Sequence, residues 1–365
     1  MATYDYETQT QKYEFISRQH GGYHRHDFVD HAYLYNLYFP PDAIFTSLKN
    51  QIRDIVLNYP VAQDALAGLI GKVIHQPAER IVVGNGASEL IKIVSGHIAR
   101  KLIVPAPSFN EYSNAAPTGR AVEYALELPS FHLDVDKFAA EAIRIEADVI
   151  VVVTPNNPTS MLVPKSDVLR LAQKLAHHDC MLIVDESFMD FVQNPDQTTL
   201  EHEIERYPNL AILKSMSKAY GICGLRIGYM LTANSAFAEA VRKGVHIWNV
   251  NGFAEEFLRL LPGYRQEFTE SCKQVRIDRD KLYESLCAVH GMTVYKPDAN
   301  FVFCRLPDYA QGAREVARRL FVAHNIYIKH CQGKSLTDSD RYIRIASRTE
   351  TENHKLVEAL TDIIR

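Results

Sequence analysis

One lysine set among hydroxyl residues is the feature of this sequence that points most directly to chemistry. Lys218 follows Ser215 and Ser217, Arg226 lies further along the chain, and all of them come after the apolar run 210–213, which predicts a buried strand. A desolvated lysine loses its proton readily and attacks aldehydes, whereas the hydroxyls and the arginine suit a phosphate. Aldehyde and phosphate together describe pyridoxal phosphate (PLP), although a solvated Ser-Lys loop is the simpler interpretation of the lysine taken alone.

A small-residue turn earlier in the chain offers a second phosphate contact. Residues 80–83 predict a strand, and Gly86, Ala87 and Ser88 then form a turn that opens a helix. The N-terminus of a helix presents free N–H groups and the positive end of its dipole to an anion. Many α/β proteins contain such a turn, so the turn indicates a phosphate site only in combination with Arg226.

Composition excludes several classes of protein. The chain has 365 residues, 47% of them hydrophobic and 23% charged, with a net charge of -4. This charge does not favour nucleic acid or an anionic membrane as a partner. No apolar run approaches the roughly 20 residues that span a bilayer. Residues 1–7 have neither the basic start nor the hydrophobic stretch of a signal peptide, so a cytoplasmic protein is predicted.

The cysteines and histidines do not form a recognised metal site. The six cysteines contain no CxxC pair, and several lie in apolar runs, which favours buried reduced thiols over disulfides or zinc. Residues 1–45 are rich in histidine and aromatic residues but lack paired His or Cys spacing. We therefore predict no metal, and interpret these histidines as surface groups or as acid/base groups of an active site.

Alternating apolar and amphipathic runs predict an α/β domain with a mostly parallel sheet. Strands are predicted at 102–105, 121–126, 148–153, 181–185, 210–213 and 226–231, and helices at 46–57, 61–74, 134–143, 165–177 and 235–245. In such sheets ligands collect at the carboxyl ends of the strands. Four candidate site residues follow or close strands in this way: Phe109, Asn157, Asp185 and Lys218.

The pattern changes near residue 253. Charged helical sequence covers 255–288, and shorter strands at 292–295, 300–305, 326–329 and 342–346 alternate with helices at 312–324 and 351–364. We predict three parts: an N-terminal arm at 1–45 that covers the active site, a large PLP-binding domain at 46–252, and a small α+β domain at 253–365.

Residues 215–229 closely resemble the PLP-lysine signature of the class I and II aminotransferases, which have fold type I. By this resemblance Lys218 is the catalytic Schiff-base lysine, and the catalytic Asp185 is the partner of the pyridinium nitrogen. Asn157 would bind the phenolic oxygen of PLP, and Phe109 would stack on its ring. The full predicted set of cofactor-binding residues is Tyr59, Gly86, Ala87, Ser88, Phe109, Asn157, Asp185, Phe188, Ser215, Ser217, Lys218 and Arg226. Taken singly, Asp185 would be better explained as a structural aspartate that caps a loop. Phe109 taken singly could equally well be a core residue.

The resemblance also implies a partner and a substrate. Tyr59 matches the tyrosine that reaches the phosphate of the neighbouring subunit, which implies a homodimer with shared active sites. Arg344 matches the arginine that binds the α-carboxylate of a small amino acid substrate. The other predicted substrate-binding residues are His24, His26, Asn36 and Lys329.

Within the family, the chain is most similar to the branch of histidinol-phosphate aminotransferases and threonine-phosphate decarboxylases. The similar segments are residues 20–22, 185–188, 248–251 and 328–331. Two segments depart from that branch: 36–39 lacks the usual Asn-Pro-Leu-Gly-like turn, and 329–331 reads Lys-His-Cys where the decarboxylases have Arg-Asp-Cys. These positions lie near substrate in the family, so a phosphorylated substrate does not follow from the resemblance alone.

Four activities are compatible with these residues. An aminotransferase-like enzyme is predicted first. The alternatives are an amino-acid phosphate decarboxylase and a non-transaminating lyase or cyclase, such as one that dehydrates and cyclises γ-hydroxyarginine to an enduracididine-type amino acid. The cyclase is motivated by acid/base groups of the arm, namely Tyr23, His24, His26, Asp27 and Asp30. The fourth is a PLP-binding regulator without catalysis, which the short arm disfavours because it cannot form a DNA-binding domain.

Overall fold

A computed structural model describes residues 8–364 of the chain. The prediction made for residues 1–7 therefore lies outside the described residues. The chain divides into two compact units. The larger unit contains residues 35–157 and 161–274, and the smaller unit contains, of the described residues, 8–34, 158–160 and 275–364. The domain boundaries expected from the sequence, at 45/46 and 252/253, stay a prediction.

The secondary structure alternates along most of the chain. The helices are α1 Gln9–Ser17, α2 Asp42–Asn50, α3 Ile52–Leu57, α4 Gln63–Ile74, α5 Ala87–Ile93, α6 Glu111–Ala115, α7 Val135–Arg144, α8 Lys165–Leu175, α9 Pro195–Thr198, α10 Met216–Ala219, α11 Ser235–Gly244, α12 Gly252–Leu260, α13 Arg265–Cys287, α14 Ala313–His324 and α15 Glu350–Ile364. The strands are β1 Val29–Asp30, β2 Ile81–Asn85, β3 Leu102–Ala106, β4 Ala121–Ala125, β5 Val149–Val153, β6 Met181–Asp185, β7 Leu210–Ser215, β8 Ile227–Thr232, β9 Thr293–Tyr295, β10 Phe301–Arg305, β11 Ile326–Tyr327, β12 Lys329–His330 and β13 Tyr342–Ala346.

The larger unit is built on a seven-stranded sheet of order β2-β8-β7-β6-β5-β3-β4. Strand β8 runs antiparallel to both of its neighbours, and the remaining pairs are parallel. All five residues of β5, Val-Ile-Val-Val-Val, are buried, which is typical of a parallel strand covered on both faces. This confirms the predicted α/β fold with a mostly parallel sheet.

Strand direction determines which loops meet. Because β3, β5, β6 and β7 are parallel, the loops after them lie at one edge of the sheet. Strand β2 has the same direction, so the turn after Asn85 also lies at this edge. Strand β8 is antiparallel, and therefore its first residues, which follow Arg226, lie there too. The sheet thus gathers residues that are far apart in sequence.

The smaller unit contains a four-stranded antiparallel sheet of order β12-β13-β10-β9 and a parallel pair of β1 with β11. One face of the four-stranded sheet packs on α14 and α15 through Val302, Cys304, Ile343 and Ile345. Helix α1 joins this unit because Tyr13 packs among aromatic rings that include Phe321 and Tyr327.

Three elements differ from the sequence-based expectation. The arm contains α1, which begins with a capping box between Thr8 and Gln11. The helix expected at 46–57 is interrupted at Gln51, so that α2 and α3 are separate. The strand expected at 326–329 is two short strands, because residues 326–327 pair with β1 whereas Lys329 and His330 pair with β13.

The remaining observations concern cysteines and membrane spans. The six cysteines are free; Cys272, Cys304 and Cys331 are buried, whereas Cys287 is exposed. Among residues 8–364, no helix combines the length and apolar composition needed to cross a bilayer.

Candidate active site

Lys218 lies in the short helix α10, directly after the carboxyl end of β7, and is partly buried. Its carbonyl oxygen accepts hydrogen bonds from the backbone N–H groups of Asn36, at 2.9 Å, and Gly221, at 3.3 Å. The buried Asn36 side chain also donates to the carbonyl of Ala219 at 2.9 Å and to Ser271 Oγ at 2.8 Å. Asn36, expected to bind substrate, therefore holds the lysine loop in place.

Asp185 ends β6 and is almost completely buried. Its Oδ2 accepts a hydrogen bond of 2.9 Å from the hydroxyl of Tyr112, and its Oδ1 accepts one of 3.0 Å from the backbone N–H of Ser187. Burial raises the pKa of Asp185, whereas the hydrogen bonds from Ser187 and Tyr112 and the charge of Lys218 lower it. A cationic ring nitrogen beside this carboxylate would favour its charged form further.

Arg226 and two serines form a cup at the same edge of the sheet. The guanidinium donates from Nη2 to Ser88 Oγ at 3.2 Å and from Nη1 to Ser217 Oγ at 3.4 Å. The backbone N–H of Gly86 donates to the carbonyl of Arg226 at 2.8 Å, which joins the turn to the start of β8. Helix α5 begins at Ala87, so N–H groups of its first turn are available to a ligand. A cation, hydroxyls and N–H groups converge here, as phosphate binding requires.

Two glycines allow the parts of the cup to lie close to one another. Gly86 has φ +71°, and an added Cβ would overlap Arg226 Nη2. At Gly228 an added Cβ would overlap the backbone nitrogen of Ala87. Side chains at these positions would fill the space between the arginine and the turn.

The loops that carry Phe109 and Asn157 are tied together. Ser108 Oγ donates to Asn156 Oδ1 at 2.7 Å, and Asn156 Nδ2 donates to the carbonyl of Pro107 at 2.9 Å. Asn157 is buried, and Phe109 is partly buried against the core of the larger unit. These two predicted residues therefore occupy neighbouring loops at the edge that carries Asp185 and Lys218.

Two further predicted residues, Ser215 and Phe188, lie next to Ser187. Its hydroxyl accepts a hydrogen bond of 3.0 Å from the backbone N–H of Ser215, the last residue of β7. Phe188 follows it and is buried. Tyr59, in contrast, lies on the surface of the larger unit, 77% exposed, with its ring stacked on that of Trp248 at a centroid distance of 4.2 Å.

In the smaller unit, Arg344 on β13 and Lys329 on β12 are directly opposite each other across the strand pair. Arg344 donates from Nη2 to the carbonyl of Ala32 at 2.7 Å, and its guanidinium lies 5.6 Å from the centre of the Phe301 ring. Burial lowers the pKa of Arg344. Burial, and then the charge of Arg344, lower the pKa of Lys329. An anion stabilises the charged forms of two adjacent, partly buried cations of this kind.

The two predicted histidines of the arm are less buried. His24 is exposed in a 3-10 turn at Tyr23–Arg25. His26 is partly buried with its ring edge toward Phe15, and burial and neighbouring positive charges lower its pKa. Among the described residues, no group of three or more His, Cys, Asp or Glu side chains is placed to hold a metal ion.

Sequence reasoning missed Tyr112 and Ser187 as partners of Asp185. Ser187 stands two residues after an aspartate, and at this spacing an Asp side chain commonly accepts a hydrogen bond from the backbone N–H. This contact could therefore have been predicted from the sequence. Tyr112 carries no comparable pattern, because its partner is 73 residues away in sequence.

These residues fit PLP. The cup suits its phosphate, Asp185 suits its ring nitrogen, and Lys218 lies at the same sheet edge for its aldehyde. When bound, PLP supplies an electron sink for carbanions at the amino-acid Cα.

Comparison with known proteins agrees with this geometry. The family model for class I and II aminotransferases matches residues 49–360. The chain is 42% identical over 345 residues to a CMP-5'-(3-aminopropyl)phosphonate synthase of Streptomyces rubellomurinus. That alignment covers 94% of this chain but only 54% of the synthase, so the chain spans about half of that relative. It is 30% identical to an L-serine phosphate decarboxylase of Sulfurospirillum multivorans, over 92% of this chain and 88% of that protein.

Solved structures show the same fold. A decarboxylase from Sulfurospirillum multivorans superposes with a TM-score of 0.84 at 29% identity, covering 92% of this chain and 88% of that chain. The histidinol-phosphate aminotransferase of Clostridium acetobutylicum gives a TM-score of 0.82 at 26% identity, over 92% and 99% of the two chains. The chain therefore belongs to the class I and II aminotransferase family, and its cofactor is pyridoxal 5'-phosphate.

Proposed function

We propose that this chain is a PLP-dependent decarboxylase of an amino acid whose side chain carries a phosphate or phosphonate. The observation that carries the proposal is the Lys329–Arg344 pair, two adjacent, partly buried cations on one face of a sheet. The α-carboxylate of a substrate would bind one of these two cations, and a second anionic group would bind the other. Partial burial strengthens each interaction.

The names of two relatives support decarboxylation. One is an L-serine phosphate decarboxylase, and the other is named for a 3-aminopropylphosphonate group. Such a group is what remains when 2-amino-4-phosphonobutyrate loses its α-carboxylate. We therefore place 2-amino-4-phosphonobutyrate, free or as its CMP ester, first among the substrates of this chain, and serine phosphate second.

The proposed reaction breaks the bond between Cα and the carboxylate. The electron pair stays at Cα, CO2 leaves, and a proton takes the place of the carboxylate, which yields an amine. In its ammonium form, Lys218 would deliver that proton to Cα and would be left as the neutral amine. Arg344 and Lys329 hold the anionic groups of the substrate and fix its orientation.

The remaining residues hold the cofactor during this step. Asp185 keeps the ring nitrogen protonated, and Tyr112 and Ser187 keep the carboxylate oriented and charged. Arg226, Ser88 and Ser217 bind the phosphate. Asn157 binds the phenolic oxygen, and Phe109 stacks on the ring.

We further propose that the chain acts as a homodimer. Seven of the twelve large hydrophobic side chains that are exposed among the described residues lie within 45–59 or at 247–248. This concentration marks a surface that a second copy covers. Tyr59 belongs to it, as expected of a residue that reaches the site of a neighbouring subunit.

The test uses the PLP-loaded protein and substrates labelled with ¹³C in the α-carboxylate. 2-Amino-4-phosphonobutyrate, its CMP ester and serine phosphate are each supplied, with and without a 2-oxo acid acceptor. We expect ¹³CO2 and an equal amount of the corresponding amine, independent of the acceptor. A labelled 2-oxo acid formed only in the presence of the acceptor would show transamination instead.

Variants at Lys329 test the substrate class. We expect Lys329→Met to raise KM for the substrate with the second anionic group about tenfold or more, since it removes the partly buried cation that would pair with that group. Lys329→Arg should restore most of the affinity. Lys296→Met, which removes an exposed lysine of the same unit, is the control. Unchanged KM in Lys329→Met would contradict the assignment.

A further inference from the structure

Tyr59 and Trp248 form an aromatic stack on the surface of the larger unit. Their ring centroids are 4.2 Å apart and their planes are inclined by 21°. Both rings remain accessible, with Tyr59 77% and Trp248 49% exposed. Stacking restricts the rotation of the tyrosine without burying it.

Trp248 adopts an unusual backbone conformation. Its φ is +55°, in the left-handed region that bulky residues rarely adopt. Strain of this kind persists only where surrounding structure imposes it, and it is concentrated at functional sites. The residues that follow Trp248 provide this constraint.

Asn249 joins the Trp248 segment to the phosphate turn. Its Nδ2 donates to Glu89 Oε2 at 2.7 Å, and the same carboxylate oxygen accepts the backbone N–H of Asn85 at 2.6 Å. Asn249 Oδ1 accepts from Gln63 Nε2 at 2.7 Å. The segment is thereby fixed to the turn that precedes Ser88.

Asn251 fixes the same segment to the other wall of the cup. Its Nδ2 donates to the carbonyl of Leu225, the residue before Arg226, at 3.0 Å, and its Oδ1 caps helix α12. Residues 248–251 are therefore anchored to both sides of the phosphate cup, and the aromatic stack has a defined position relative to it.

We propose that Trp248 is a positioning residue that holds Tyr59 ready for the cofactor phosphate of a second copy of this chain. This inference rests on the proposed homodimer and deepens it, since it identifies what places the shared tyrosine. Trp248 acts only through Tyr59 and contributes no group to the phosphate itself.

The test measures the Kd of PLP for the apo protein by absorbance titration, with the oligomeric state of each variant followed by ultracentrifugation. We expect Trp248→Ala to weaken binding about tenfold and Trp248→Phe, which keeps a stacking ring, to stay within about threefold of wild type. Tyr59→Phe should weaken binding, and adding Trp248→Ala to it should change little more. Leu128→Ala, at an exposed apolar position of the same unit outside the surface formed by 45–59 and 247–248, is the control.

Trp248→Gly separates positioning from structure. Glycine tolerates the positive φ, so this variant should keep or raise the melting temperature while losing cofactor affinity. Dimeric Trp248→Ala with wild-type affinity would overturn the inference, as would additive losses in the double variant. A monomeric Trp248→Ala would assign the tryptophan to the interface instead. A wild-type protein that is monomeric with PLP bound would refute the proposed dimer itself.

Discussion

The hydroxyl of Tyr112 donates a 2.9 Å hydrogen bond to Asp185 Oδ2, and both side chains are buried. Burial raises the pKa of Asp185, so an unassisted carboxylate would be less fully charged, whereas its proposed role beside the ring nitrogen needs the charged form. The tyrosine offsets part of this effect because it stabilises the charged form. Its own pKa is raised by burial and by the Asp185 charge, so it remains a donor.

Replacing Tyr112 with phenylalanine should weaken the function of Asp185 without opening a large cavity. A hydrogen bond to a charged group contributes about 1.5–3 kcal/mol, so we expect kcat to fall about tenfold or more. Cofactor affinity should fall as well. Steady-state kinetics and a PLP titration measure both quantities, with Tyr124→Phe on β4 as control. Wild-type kcat and PLP affinity in Tyr112→Phe would show that the tyrosine does not support the function of Asp185.

Gly86→Ala should displace the arginine of the phosphate cup. The new Cβ would overlap Arg226 Nη2, and the residue would hold φ +71° with ψ 163°, a region that is almost exclusive to glycine, at a cost of about 1–3 kcal/mol. We expect weaker PLP binding together with a lower melting temperature. Gly224→Ala is the matched control, because no described atom lies within 4 Å of its added Cβ. Equal PLP affinity in the two variants would count against the cup.

A buried cluster of charges begins at Glu186, the residue after Asp185. Glu186 accepts hydrogen bonds from Thr199 Oγ1 and from the backbone N–H of Leu200. Burial, and then the charge of Glu201, raise the pKa of Glu186 to about 7. Burial lowers the pKa of Lys214, but the carboxylates around it, Asp190 first, raise it more.

This cluster predicts a pH-dependent stability. The pKa of Glu186 is about 7 in the folded chain and 4.5 for the unperturbed group, so between these values the folded state binds more protons. Stability therefore falls as pH rises through this window, by about 3 kcal/mol for the single group. Glu186→Gln lacks this titration, so its free energy of unfolding relative to wild type should increase from pH 4.5 to pH 7.

Urea unfolding at pH 5, 6, 7 and 8 measures the difference. Glu205→Gln, at an exposed position, is the control. Wild type and Glu186→Gln with parallel pH dependences would show that Glu186 titrates normally.

Much of the fold could be predicted from local sequence patterns. The apolar run ending at Asp185 and the alternation around it predicted a parallel sheet, because periodicity and burial act within one element. Strand order then brought Lys218 and Asp185 to one edge. The division of the expected strand 326–329 into β11 and β12 could not be predicted, because β-propensity does not specify a partner strand. Helix α1 buries only Tyr13 and Ile16, and two apolar residues are too few to reveal a helical period in the sequence. Its capping box could have indicated where the helix begins.

Side-chain partners were harder to predict than strand ends. Asn36 was expected near substrate, yet its amide bonds Ala219 and Ser271, which lie far away in sequence. No sequence pattern distinguishes Tyr112 from an aromatic residue of the core. Such contacts depend on the orientation of side chains across the assembled sheet, which no local pattern contains.

The assignment of Lys218 as the cofactor lysine is tested most directly by mass spectrometry. Borohydride reduces the bond between a lysine amine and the PLP aldehyde and leaves a stable pyridoxyl group on that lysine. After reduction of the PLP-loaded protein and proteolysis, the account predicts the pyridoxyl mass on the peptide that contains Lys218 and its absence in Lys218→Ala. Modification of another lysine in the wild-type protein, or none at all, would contradict it.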